Sequence, residues 1–365
     1  MPKNETVEIQ KMLVELGTKL GFEAYMEEQI HGKDTYAPIY DVVWYLNLEK
    51  MNAEAMRPLF GDNQMWFDSI NRVPFAGFEV EGSTTSSKNQ LSNFANLYSG
   101  NFIYNFVIVN NAGAGKEADT YRSGNKLNRY FLDFAGLRNT FFFDKVHLEK
   151  SIEALNEYSS DISVNTNGLG QRGKFGGETA SVPIFEQIKP LIEKTGFQVF
   201  QNWSPEVYTI KHKMLKNMEL ETDFDAFCVQ RAFYPEPYEM NIQRSKKKTD
   251  SYYIPKLDLV MGFNAPKGFV CWLKQLAYQM KYAVVDSPIL YGIQNSIIKE
   301  LFIPLISIEI ESSINKHLNG GIFNMSKNSY LGILVTKENA EKHLQFFKNE
   351  MGIKNVICYC TGDRK

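Results

Sequence analysis

The strongest constraint on this chain is that it repeats itself. Repetition decides an architecture before any single element is read. Gly21-Phe22-Glu23-Ala24-Tyr25 returns as Gly196-Phe197-Gln198-Val199-Phe200, each after an amphipathic stretch. Tyr36-Ala37-Pro38-Ile39-Tyr40-Asp41-Val42-Val43 returns as Tyr253-Ile254-Pro255-Lys256-Leu257-Asp258-Leu259-Val260, with tyrosine, proline and aspartate in the same register. The longest match pairs Val73-Pro74-Phe75-Ala76-Gly77-Phe78-Glu79-Val80-Glu81-Gly82-Ser83 with Ile303-Pro304-Leu305-Ile306-Ser307-Ile308-Glu309-Ile310-Glu311-Ser312-Ser313. A weaker patch closes each copy, at Phe131 to Asn139 and Phe347 to Asn355, and each leads into a β-type run.

Length agrees with two copies, since 365 residues exceed one ordinary domain. The expected organisation is a first domain over 1–150, a Gly/Asn-rich linker over 151–180, and a second domain over 181–365. The second carries an insertion near 200–250 that the first lacks. Hydrophobic residues at 44% and aromatics at 13% suffice for two cores and argue against disorder.

Periodicity gives one order of elements for both copies. Met12, Leu13, Leu16 and Leu20 stand at helical spacing, and Gly21 ends that helix before a strand. Tyr40 to Leu46 reads as a buried strand. Phe75 to Glu81 reads as a third, with Glu79 and Glu81 on one face because strand side chains alternate. Helices are expected at Gln90–Tyr98 and Lys126–Ala135, and strands at Phe102–Val109 and from Thr140. The second copy gives Tyr330–Val335 as strand, Glu338–Met351 as helix and Val356–Tyr359 as strand. The expected class is α/β, each copy a mixed sheet flanked by helices.

The chemistry lies in the acids. An aspartate on one strand and a Glu-x-Glu on the next can converge at one sheet end, where they would hold a hard divalent ion such as Mg²⁺. With 42 acids in 365 residues, about five acid-x-acid pairs arise by chance, so one pair alone carries little weight. What carries weight is the return of Asp and Glu-x-Glu together, in order, each in an apolar strand with a matching proline.

On those motifs, Asp41…Glu79-x-Glu81 and Asp258…Glu309-x-Glu311, each copy resembles the PD-(D/E)XK nuclease superfamily, the restriction-endonuclease-like fold. The resemblance implies two such domains arranged as a pseudo-dimer. It implies Asp41 and Glu79 as Mg²⁺ ligands in the first copy, and Asp258 and Glu309 in the second, with Mn²⁺ as substitute. Glu81 and Glu311 complete the catalytic set at the position where the family commonly has lysine. Some type II restriction enzymes also have glutamate there. Lys88 and Lys316, in the following helix, are the candidates for a displaced lysine, and their other reading is an exposed helix lysine. The second departure is that proline precedes each aspartate by three residues rather than one. The implied function is Mg²⁺-dependent, sequence-specific cleavage of double-stranded DNA, as by a type II restriction endonuclease, leaving a 5′-phosphate and a 3′-hydroxyl. Two rival readings stay open. One is a non-catalytic or single-site DNA-binding protein of the same fold. The other is a nuclease of transposition, repair or phage defence.

Net charge is −2, so any DNA contact must be local. Asn241 to Lys281 has eight Lys or Arg against Asp250 and Asp258, a net of +6. Within it Arg244, Lys246, Lys247 and Lys248 are candidate DNA contacts, as are Lys88 and Lys316 outside it. Gly168-Leu169-Gly170-Gln171-Arg172-Gly173 spells a dinucleotide fingerprint but lacks its strand–turn–helix setting, and Gly113-Ala114-Gly115-Lys116 lacks the rest of a P-loop. No nucleotide cofactor is therefore expected. Cys228, Cys271, Cys358 and Cys360 lack zinc spacing and read as free thiols. The start of the chain has no signal-peptide pattern and no apolar run spans a bilayer, so a cytoplasmic protein without a membrane partner is expected. An internal pseudo-dimer would let the chain act as a monomer.

Overall fold

The structure is a computed structural model that describes residues 4–30, 37–110, 116–130, 139–155, 181–203, 207–213, 223–229, 256–280, 288–294, 300–314 and 316–362. It is a mixed α/β protein with two five-stranded mixed sheets flanked by helices, and a separate two-stranded ribbon.

In the first half, α1 (Asn4–Lys19) is followed by β1 (Glu23–Glu28) and β2 (Tyr40–Asn47). Short helices α2 (Arg57–Phe60) and α3 (Gln64–Asn71) lead to β3 (Arg72–Glu81). Then come α4 (Ser87–Ser99), β4 (Tyr104–Val109), α5 (Lys116–Tyr130), β5 (Thr140–Asp144) and α6 (Lys145–Leu155). The sheet runs β1-β2-β3-β4-β5. The first three strands pair antiparallel, and β3, β4 and β5 pair parallel. In the second half, α7 (Val182–Glu193) and β6 (Gln198–Trp203) precede a ribbon of β7 (Val207–Lys213) and β8 (Asp223–Val229). β9 (Leu257–Asn264), α8 (Lys267–Met280), α9 (Pro288–Gln294), β10 (Phe302–Glu311), α10 (Lys316–Asn328), β11 (Leu331–Thr336), α11 (Glu341–Met351) and β12 (Val356–Cys360) follow. This sheet runs β12-β11-β10-β9-β6, the same order as the first. β6 pairs antiparallel with β9, and β10, β11 and β12 pair parallel.

The matching prolines have a structural reason. Pro74 and Pro304 precede the stretches of β3 and β10 that pair in parallel, which begin at Ala76 and Ile306. A missing N–H therefore costs no ladder bond on that side.

The chain folds into two compact units that do not follow chain order alone. One comprises Met1–Asn167, Leu191–Phe197 and Asn264–Ser287, and the other Gly168–Pro190, Gln198–Phe263 and Pro288–Lys365. Helix α8 thus belongs to the first unit although it follows β9 in the chain. Its buried stripe, Phe269, Trp272, Leu273, Leu276, Ala277 and Met280, fits one apolar helix face. Phe269 packs on Phe22, Phe75 and Tyr104, and Trp272 on Trp44 and Phe106.

The other face of the first sheet holds Tyr40, Val43, Tyr45, Val107, Val109 and Phe142 under Phe94 and Leu97 of α4. Alternation puts Glu79 and Glu81 on this α4-covered face, because Phe78 stacks on Phe106 on the opposite one. In the second unit Leu318, Ile322 and Met325 of α10 cover Val260 and Leu334 in the corresponding way.

Among the described residues no helix is long and apolar enough to cross a membrane. Of the cysteines, Cys271, Cys358 and Cys360 carry free thiols.

Candidate active site

Topology alone brings the acids together. β3, β4 and β5 run parallel, so their last residues share one sheet edge. β2 runs the other way, so its first residues lie at that same edge. The antiparallel register pairs Val42 with Phe78, and one step further outward stand Asp41 and Glu79. The carboxyl ends of parallel strands are where open α/β sheets bind ligands.

Asp41 is held by one backbone and one side-chain donor. The Val80 N–H donates to Oδ2 at 2.6 Å, and Gln10 of α1 donates through Nε2 to Oδ1 at 2.7 Å. The Asp41 and Glu79 carboxyls are hydrogen-bonded to each other, which requires a proton between them. Burial pushes Glu79 well above the usual carboxylate range, and the Asp41 charge adds to the rise. Burial also raises Asp41, against the pull of Val80 and Gln10. Both carboxyls are thus shifted toward the protonated form, Glu79 the further. Helix α4 supplies two more donors one turn apart. Asn93 Nδ2 donates to Glu81 Oε1 at 2.9 Å, and Asn96 Nδ2 to Glu79 Oε1 at 3.4 Å.

Glu81 is 1% exposed, and its Oε2 has no hydrogen-bond partner. Burial pushes its carboxyl up to about 7, against the Thr85 hydroxyl and the Asn93 amide. A folded value of about 7 against 4.5 makes the protonated form the stable one. That contribution is complete below the lower value and is lost as pH rises through the upper one. Glu81→Gln is therefore expected to be more stable than wild type by up to about 3 kcal/mol at alkaline pH, the gap closing toward pH ~4. Urea unfolding across that range, without divalent ions, reads the gap. A pH-independent difference would contradict it.

The second unit repeats the arrangement. The Ile310 N–H donates to Asp258 Oδ2 at 3.0 Å, the counterpart of Val80 on Asp41. Asp258 and Glu309 are hydrogen-bonded through their carboxyls. Burial first, then the Asp258 charge, pushes Glu309 well above the usual range. Asp258 is raised by burial, opposed by the Ile310 N–H, its bond to Glu309 and the nearby charge of Lys256. Glu311 is half-buried and its charge bears on Glu309. In both copies, then, an aspartate grips the backbone between the two glutamates and interacts through its carboxyl with the first.

Among the described residues no three His, Cys, Asp or Glu side chains are gathered closely enough to hold a metal ion between them. The close approach in each unit is a pair, Asp41 with Glu79 and Asp258 with Glu309. The second glutamate stands two residues on, about 7 Å along the strand. A pair of hard oxygen donors still suits Mg²⁺, which keeps several waters and needs only one or two protein carboxylates. The buried, unpartnered Glu81 Oε2 also suits a nearby positive charge.

The remaining sequence candidates lie elsewhere. Lys88 is exposed in the first turn of α4, and the residues of that helix that reach the acids are Asn93 and Asn96. Lys316 opens α10, and its side chain lies outside the described residues. So do Arg244, Lys246, Lys247 and Lys248, the glycine-rich stretch 168–173, and residues 113–115. Gln10, Asn93 and Asn96 escape the sequence reading because neutral amides leave no charge pattern. The Asn93–Asn96 spacing, facing one side of a helix that follows Glu-x-Glu, is the one signal available.

The chain matches no protein-family model, no curated protein and no solved structure.

Proposed function

We propose that the chain is a Mg²⁺-dependent endonuclease of double-stranded DNA, with one hydrolytic site per repeat and the two repeats arranged as a pseudo-dimer of restriction-endonuclease-like domains. The observation that carries the reading is the twofold Asp/Glu-x-Glu arrangement, in which Asp41 and Asp258 make the same backbone hydrogen bond and the same carboxyl–carboxyl contact. A structural acid pair would be served better by apolar replacement, since buried carboxyls cost free energy unless something partners them.

Asp41 with Glu79, and Asp258 with Glu309, would hold the ion. When bound, a divalent cation polarises a phosphoryl oxygen and eases deprotonation of water. Glu81, with its raised affinity for a proton, would take one from the attacking water. Water oxygen then bonds to phosphorus, the bond from phosphorus to the 3′ oxygen breaks, and that oxygen takes a proton from solvent, so that a 5′-phosphate and a 3′-hydroxyl remain. Glu311 takes the same role in the second repeat. Asn93 and Asn96 orient the first site's carboxylates. Two sites in one chain suit the two strands of one duplex.

The test is incubation of the purified chain with supercoiled plasmid. Linear product is expected with Mg²⁺, and no cutting with excess chelator. Binding of duplex DNA without any strand break in Mg²⁺ or Mn²⁺ would favour the non-catalytic reading.

A further inference from the structure

The row of strand ends that holds Glu81 carries a second titratable group. β3, β4 and β5 stop in register, Glu81 beside Val109 and Val109 beside Asp144. Registered residues of parallel strands point to one face, so Asp144 shares the α4-covered face with Glu81, two strand spacings or about 10 Å away. Tyr121 of α5 marks the same face, since its ring lies 5.2 Å from Phe142 and the Asp144 charge bears on its hydroxyl. Asp144 is buried, and its Oδ1 accepts the His147 backbone N–H at 2.9 Å. The same oxygen stands 2.8 Å from His147 Nδ1. Burial works against the Asp144 charge, but the ring and backbone of His147 outweigh it and hold the carboxyl below its usual range. The backbone bond alone caps α6, and the ring does not serve the cap. Its other nitrogen, Nε2, points away from Asp144 on a side chain 24% exposed. In the second unit the corresponding row is Glu311, Thr336 and Cys360, and the Cys360 thiol donates to the Lys337 carbonyl at 3.1 Å. A cysteine thus stands there in place of Asp144.

We infer that, at the first site, the proton taken up by the departing 3′ oxygen passes through the His147 imidazole, with Asp144 as its positioning residue. This rests on the nuclease reading proposed above. In the imidazolium form one N–H faces Asp144 and the other, on Nε2, faces outward. As the bond from phosphorus breaks, the 3′ oxygen keeps the electron pair and takes the Nε2 proton. The neutral ring then regains a proton from solvent. Attacking and leaving oxygens lie roughly in line through phosphorus, so a base and an acid must flank it. A base on Glu81 and an acid held by Asp144, rooted about 10 Å apart along one sheet edge, are spaced to do so. At the second site the leaving oxygen draws on solvent directly.

The experiment uses Glu309→Gln, which isolates the first site and whose nick maps the scissile bond. His147→Asn is added to it, because the asparagine amide replaces Nδ1 beside Asp144 and nothing replaces Nε2. A synthetic duplex carries either oxygen or sulfur as the 3′ bridging atom at that bond, and a thiolate leaves without a proton. With oxygen, His147→Asn should slow nicking about a hundredfold or more, and with sulfur less than about threefold, since only the first needs general acid catalysis. Asp144→Asn should show a smaller loss with oxygen, again absent with sulfur. It decides the matter if circular dichroism shows that His147→Asn does not fold. Equal slowing of both substrates, or none with oxygen, would overturn the inference while leaving the nuclease reading intact. Cutting by wild type without nicking by Glu309→Gln would overturn the inference as well, because the first site would be idle. No cutting by wild type would overturn both.

Discussion

Trp272→Ala is expected to destabilise the protein by about 3–5 kcal/mol, the cost of removing a large aromatic from a packed core. Trp272 is fully buried, with its ring 5.5 Å from Trp44, 5.3 Å from Phe106 and 5.9 Å from Phe269. Its Nε1 donates to Ser151 Oγ at 3.0 Å. Alanine removes the indole and leaves a cavity walled by rings, which close poorly because each is pinned by others. Trp44 illustrates this, since its own Nε1 donates to the Leu13 carbonyl at 3.0 Å. Ser151 suffers less, because its hydroxyl keeps the Leu148 carbonyl at 2.7 Å. Urea unfolding followed by far-ultraviolet circular dichroism should show a lower midpoint with unchanged slope. A loss below about 1 kcal/mol, the level of an ordinary surface change, would mean that α8 does not cover the first sheet.

That helix marks where sequence reading stops. Its apolar spacing from Phe269 to Met280 is plain, but spacing fixes only which face is buried, not which sheet receives it. Chain order points α8 to the sheet it follows, and packing gives it to the other. The central strands were legible for a physical reason. Burial on both faces leaves near-continuous apolar runs in β2, β3 and β4. The two acidic motifs stood out because carboxyls are rare in such runs. Helix α6 and the short helices α2 and α3 left weaker patterns, and α3 covers only eight residues. Of the site, the six acids were legible as types and spacings. Their meeting as buried carboxyl pairs was not, because it depends on the β2–β3 register and on how far each side chain is buried. The amides Gln10, Asn93 and Asn96 belong to the same class of hidden feature.

The largest functional effects are expected at the first glutamate of each motif. Glu79→Gln and Glu309→Gln keep shape but remove one negative charge from each pair. Cation binding and the charge stabilisation it brings are worth several kcal/mol, so cleavage at the altered site should slow on the order of a thousandfold or more. On the proposal that each repeat carries its own site, the defects should be strand-specific rather than global. Each single variant should open supercoiled plasmid to the nicked circle and stall there. The double variant should leave the plasmid supercoiled.

The decisive measurement is gel separation of supercoiled, nicked and linear plasmid after digestion in Mg²⁺ by wild type, the two single variants and the double variant. Linear DNA from wild type, nicked circles from each single variant and intact supercoils from the double variant are expected. Full linearisation by either single variant, or cutting by the double variant, would contradict two carboxylate-built nuclease sites in one chain.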